Sequence, residues 1–197
     1  MINTKKIIAL GLIAATGASM IATTTASAAM TAGGSTTVSY APGKATGGDE
    51  NGNVADWTVD FPLNTPLDDS NVSAQTSKEM KFVLVNTSDK SSPYSGQKVV
   101  KVKLGQMDAG SVNGKDILLK ENGGDSQAKM GLTTNKKDQL DITNITKAPI
   151  EVGSIQKKQD QGSQNVATVG AYLSNKDSSK AGKNYTASLT WSFSSDN

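Results

Sequence analysis

Residues 185–193 read YTASLTWSF. Tyr185, Ala187, Leu189, Trp191 and Phe193 fall on one face of an extended chain, and Thr186, Ser188, Thr190 and Ser192 on the other. Side chains alternate across a strand, so this unbroken period of two predicts a half-buried strand. Its aromatic and β-branched residues suit a pleated surface with one face covered.

The same pattern recurs upstream. In 54–61, Trp57, Val59 and Phe61 oppose Asp56, Thr58 and Asp60, a second half-buried strand. Residues 80–85, MKFVLV, are apolar on both faces apart from Lys81, which predicts a central strand. In 99–104, Val100, Val102 and Leu104 alternate with Lys101 and Lys103, whose charges discourage edge pairing. Shorter strands are expected over 117–119, 130–133, 140–145, 150–155 and 166–173, the last weakened by Gly170. Asn113-Gly114 and the run NGGD over 122–125 are turn signals, as is Ala41-Pro42-Gly43. The segment 44–53, KATGGDENGN, reads as a loop, 176–184 as a turn, and Pro62 and Pro66 bracket an extended or turn segment. Residues 135–140 and 156–164 are short and polar, with no apolar stripe of helical period. The expectation is an all-β fold, a single β-sandwich (Ig-like or related) of about seven to ten strands. Trp57, Phe61, Phe82, Tyr185, Trp191 and Phe193 are expected to line its inner wall.

The amino terminus reads differently. Lys5 and Lys6 precede a mostly apolar stretch over 7–22, and Ala26-Ser27-Ala28 supplies the small residues a signal peptidase requires. Gly11, Thr16, Gly17 and Ser19 dilute the run below what a membrane span needs. No Cys follows to carry a lipid. The expected organisation is a secretory signal peptide over 1–28 and a flexible segment over 29–53. A β-sandwich domain follows over 54–197, joined by a first strand at 36–41. Removing residues 1–28 from 197 leaves 169, enough for one core without metal or disulfide. Removing Lys5 and Lys6 from 20 Lys leaves 18 against 18 acids, a net charge of zero. No strong field toward nucleic acid or anionic lipid is expected, and no stable membrane insertion after cleavage.

Composition excludes several chemistries. The chain has no Cys, no His and no Arg. Disulfides, thiol nucleophiles, imidazole bases and guanidinium clamps are therefore absent. An exported chain without Cys fits a bacterial surface lacking a disulfide-forming compartment. Asp68, Asp69, Ser70 and Asn71, or Asp49, Glu50, Asn51 and Asn53, offer oxygen ligands for Ca²⁺, but neither has the spacing of a calcium loop and both read as solvated turns. Eighteen acids always allow a glycosidase-like pair, so the count points to no site. Gly123-Gly124 lacks the strand and helix of a phosphate cradle. Lys81 is the one Lys set among strong core residues, where a Lys–Asn or Lys–Asp crosslink is conceivable; a solvent-facing Lys is the simpler reading. No cofactor and no catalytic residue is expected.

Residues 182–193, GKNYTASLTWSF, resemble the closing motif of the WxL-type cell-surface proteins of Gram-positive bacteria, in which Tyr, three residues, Leu-Thr-Trp, one residue and Leu follow in order. Tyr185, Leu189, Thr190 and Trp191 match in register, and Phe193 stands where the family has Leu. Trp57-Thr58-Val59 is similar to the family's earlier Trp-x-Leu motif, with Val for Leu. Residues 57–73 also resemble strand-and-turn segments of broader adhesin-like β-domains. The resemblance implies export, non-covalent attachment to peptidoglycan and co-operation with other surface proteins, with Trp57, Tyr185, Leu189 and Trp191 as motif residues. The expected function is a non-enzymatic, wall-associated attachment or adhesion protein. The alternatives are a pilus or biofilm-fibre subunit that donates a strand from 29–41, and a polysaccharide-binding module using exposed Tyr94 and Tyr172.

Overall fold

Alternating sequence becomes paired strands throughout the computed structural model, which describes residues 19–29, 42–48, 54–156, 166–174 and 183–195. Among these, twelve strands occur with one short 3₁₀ turn, so the fold is all-β. In chain order they are β1 Ser19–Ala29, β2 Pro42–Gly48, β3 Val54–Pro62, β4 Asn64–Leu67, β5 Lys78–Asn86 and β6 Val100–Leu104. The 3₁₀ turn Ala109–Ser111 follows, then β7 Val112–Asn113, β8 Asp116–Glu121, β9 Gln127–Thr133, β10 Ile150–Ile155, β11 Val166–Leu173 and β12 Asn184–Ser195.

The strands form one open sheet in the order β10-β6-β12-β8-β9-β11-β5-β3-β2. β1 lies on the other edge of β12, antiparallel from Ser19 opposite Ser194 to Ala29 opposite Asn184. It also pairs in parallel with β4, Thr25 to Ala28 alongside Asn64 to Leu67. The sheet curls back on itself, because β5 and β12 stand apart in the ladder yet meet through Phe82 and Trp191. Inside the curl, one core contains Trp57, Phe61, Phe82, Tyr185, Trp191 and Phe193, the six aromatics expected there. Burial of aromatics of this size supplies much of the apolar driving force.

Apolar residues on both faces of β5 follow from its place between β11 and β3, a central position. Lys81 is on the solvent face, its side chain 62% exposed and its Nζ 3.8 Å from Glu79. The two-sided Leu/Val content therefore sets the strand's position without burying the Lys.

Two expectations are corrected. Residues 42–48, read as part of a turn at 41–43 and a loop over 44–53, form β2, which pairs with β3 from Pro42 opposite Pro62 to Gly48 opposite Val54. Backbone pairing to a buried neighbour overrides the weak strand propensity of Gly, Ala and Lys. The strand expected at 36–41 lies outside the described residues. Residues 64–67, left open between extended chain and turn, are strand β4. Residues 140–145 are not a strand: the Asp141 carboxylate accepts from the Thr143 amide at 3.0 Å, and the Ile145 amide donates to the Ile142 carbonyl at 2.9 Å. Ile142 and Ile145 are buried three apart by this turn, which imitates the apolar content of a strand. Ser19–Ala29, which overlaps the last ten residues of the expected signal peptide over 1–28, is strand β1.

Candidate functional site

The motif residues come first. Trp57, Tyr185, Leu189 and Trp191 are all fully buried in the core. Trp57 comes from β3, and the other three from the inward face of β12. The Tyr185 hydroxyl lies 3.2 Å from Ser126 Oγ, and Trp191 meets Phe82 edge-on. The Trp57 indole N–H has no hydrogen-bond partner among the described residues. These side chains build the fold and offer no surface to a ligand.

The outward face of β12 does offer one. β8 pairs with β12 only at Tyr185 and Thr186, and β6 only from Trp191 to Ser195. The two ladders share one edge of β12 and leave residues 187–190 between them. Gly105 ends the β6 ladder by donating its amide to the Thr190 carbonyl at 2.7 Å. A Cβ on Gly105 would stand 3.1 Å from both Thr190 Cβ and that carbonyl, so the close approach favours glycine. Beyond Gly105 the chain turns away. The Met107 amide donates to the Ile145 carbonyl at 3.2 Å, and Gln106 Nε2 to the Thr146 carbonyl at 2.7 Å. The 3₁₀ turn closes with Ser111 N–H to the Asp108 carbonyl at 2.9 Å.

The result is a groove of about 410 Å³. Thr186, Ala187, Ser188 and Thr190 form its floor, Leu118 and Lys120 of β8 one side, and Gln106, Met107, Asp108 and Ser111 the other. Its volume falls in the range of small-ligand sites, about 300–1,000 Å³. Four hydroxyls are joined by one carboxylate, one ammonium, one amide and three apolar side chains. Such a lining suits a polar ligand of little net charge held by several hydrogen bonds.

The other residues weighed from the sequence lie elsewhere. Tyr94 and Tyr172 are buried, which corrects their reading as exposed stacking aromatics. The loop after β5 folds back through Asn86 N–H to the Ser92 carbonyl and Tyr94 N–H to the Leu84 carbonyl, both 3.1 Å. That return carries the Tyr94 ring into the core. Its hydroxyl emerges to donate to Asp56 Oδ2 at 2.9 Å, while Lys98 Nζ holds Asp56 Oδ1 at 3.2 Å. Burial and this carboxylate push the Tyr94 hydroxyl up to about 12. Partial burial opposes ionisation of Asp56, but the Tyr94 and Lys98 hydrogen bonds and the Lys98 charge outweigh it and lower its pKa. Tyr172 stands opposite Gly131 across β11 and β9, where the missing side chain makes room for its ring.

In the 68–71 turn, Asp68 Oδ1 accepts from the Ser70 amide at 2.8 Å and from its hydroxyl. These bonds lower the Asp68 pKa and occupy the oxygen a cation would use. No group of three His, Cys, Asp or Glu residues gathers for a metal among the described residues. Residues 49–53, with Asp49, Glu50, Asn51 and Asn53, lie outside the described residues. Among the described residues no helix is long and apolar enough to cross a membrane.

Sequence reasoning identifies the polar face of β12 but misses Gln106, Asp108 and Ser111. The signal available was Gly105 directly after an alternating strand, which marks where the chain leaves the sheet. Comparison with models of protein families, with curated proteins and with solved structures gives no match to this chain.

Proposed function

We propose that the chain is an exported, non-enzymatic protein of a Gram-positive cell surface, attached non-covalently to the wall and built as an Ig-like β-sandwich. The observation that carries the reading is the division of labour in β12. Its motif residues Tyr185, Leu189 and Trp191 are locked inside, and the residues between them floor the polar groove. Residues 1–28 act as the leader, and peptidoglycan or a neighbouring surface protein is the partner. A chain of zero net charge after cleavage has no long-range attraction to nucleic acid or lipid headgroups, so wall binding is expected to survive salt. Purified protein is incubated with purified peptidoglycan and centrifuged across a salt series. Sedimentation that holds at moderate salt is the expected result; protein left in the supernatant throughout overturns the reading.

One observation favours a second reading, a fibre subunit. Cleavage after Ala28 removes all of β1 but Ala29 and uncovers the edges of β12 and β4. An open edge of that length is a template for an incoming strand from another copy. Fibres seen by electron microscopy and lost on deleting residues 29–41 are expected on this reading. A strict monomer at high concentration overturns it.

A further inference from the structure

We infer that the groove beside β12 binds an N-acetylated amino sugar, recognised through the main chain of Ser188. The inference rests on the wall-attachment reading for the source of the sugar, while the groove's chemistry is tested with soluble sugar alone.

The argument begins with ladder alternation. In an antiparallel pair, every second residue directs both its N–H and its C=O at a given neighbour. Asn184 accepts from the Asn122 amide and Thr190 from the Gly105 amide, so the even-numbered residues of β12 face the edge shared by β8 and β6. β8 pairs up to Thr186, and Gly105 reaches Thr190. Ser188 is the even residue between them, and neither ladder reaches it among the described residues. Its N–H and C=O therefore open side by side onto the groove.

A donor and an acceptor placed together are matched by one group carrying both, a secondary amide. The opening is a single hydrogen-bonding residue long. An extended peptide placed there would make one pair of bonds and then meet β6 or β8, so the slot suits an isolated amide better than a strand. The remaining lining fits what surrounds the amide in an acetamido sugar. Met107 and Leu118 give a methyl group an apolar surface, and Thr186, Thr190 and Ser111 supply hydroxyls for those of the ring. Opposite charges on Asp108 and Lys120 leave the groove without a net preference for an ion.

The test titrates the isotope-labelled full-length chain with the β-1,4-linked dimer of N-acetylglucosamine. The glucose dimer lacking the acetamido group, and N-acetyl-alanyl-alanine, serve as controls. The acetamido sugar is expected to shift the Ser188 amide resonance saturably and to slow its hydrogen exchange. The glucose dimer should bind about tenfold more weakly, the loss expected from two hydrogen bonds. Ser188→Trp fills the groove from its floor and should abolish the shifts of the neighbouring amides. Lys81→Trp, an outward change on β5, should leave them intact. Equal binding of the glucose dimer, equal or tighter binding of the dipeptide, or shifts elsewhere than β12 and the 105–111 loop overturns the inference. Wall sedimentation without sugar binding refutes the groove alone, and sugar binding without sedimentation refutes wall attachment alone.

Discussion

Phe82 and Trp191 meet edge to face, ring centroids 4.8 Å apart and planes at 65°. Three strands, β8, β9 and β11, separate their own strands along the sheet. The pair is therefore a direct clasp across the curl, and Phe193 at 6.0 Å from Phe82 extends it toward Phe61. Replacing either Phe82 or Trp191 with Ala is expected to cost about 3–5 kcal/mol in urea unfolding. The double variant should lose less than the sum, by about 0.5–1.5 kcal/mol, because edge-to-face packing couples the rings. Strict additivity would show that the two rings stabilise separate regions.

Tyr94 gives a pH prediction at each end of the scale. Its hydroxyl ionises near 12 in the folded chain and near 10 when unfolded, so only the unfolded state loses the proton in between. Stability is then expected to fall as pH rises from 10 to 12. Asp56 has the opposite sign, its pKa lying below the ordinary 3.8. The stability it adds is full above 3.8 and lost as pH falls through the folded value. Thermal melts of the wild type and of Tyr94→Phe across both ranges check this: the variant should have a shallower alkaline slope, with the part that remains coming from Tyr172, whose pKa burial also raises.

Gly131 is predicted to tolerate no side chain. A Cβ there would stand 2.5 Å from Tyr172 Cζ and 2.6 Å from its hydroxyl oxygen. Gly131→Ala should destabilise by about 1–3 kcal/mol through overpacking. Adding Tyr172→Leu should reduce the penalty of the Ala, measured against Tyr172→Leu alone. An unchanged penalty in that background would place the clash elsewhere.

Trp57 and Trp191 are both fully buried, but the Trp57 indole N–H is without a partner among the described residues. A buried unsatisfied donor carries a desolvation cost of about 1–3 kcal/mol. Trp57→Phe removes that cost along with part of the ring, so its net effect should be smaller than that of Trp191→Phe. Chemical denaturation of the two single variants decides it.

What was legible in the sequence was local. The alternation from Tyr185 to Phe193 gave β12, the two-sided run MKFVLV gave the central position of β5, and both follow from which faces of a strand are covered. β2 was hidden because its residues carry little apolar pattern, and its pairing with β3 supplies what propensity does not. Tyr94 and Tyr172 read as exposed because each lies at or beside a loop. A loop that folds back and a glycine on the next strand bury them, and neither is visible in a single run of sequence. The groove is the furthest from local reading. Its floor is one strand, but its existence depends on β6 and β8 sharing an edge of that strand and falling short of each other.

The pairing of β1 with β12 has a consequence in time. They are the first and last of the described strands, joined along Ser19–Ala29 and Asn184–Ser194. On a growing chain, residues 19–29 leave the ribosome long before their antiparallel partner has been made. Until then only the four residues of β4 are there to pair with them, in the weaker parallel sense. A contact of such high sequence separation also forms slowly. The pairing of residues 19–29 with β12 is thus among the last contacts the sheet can form.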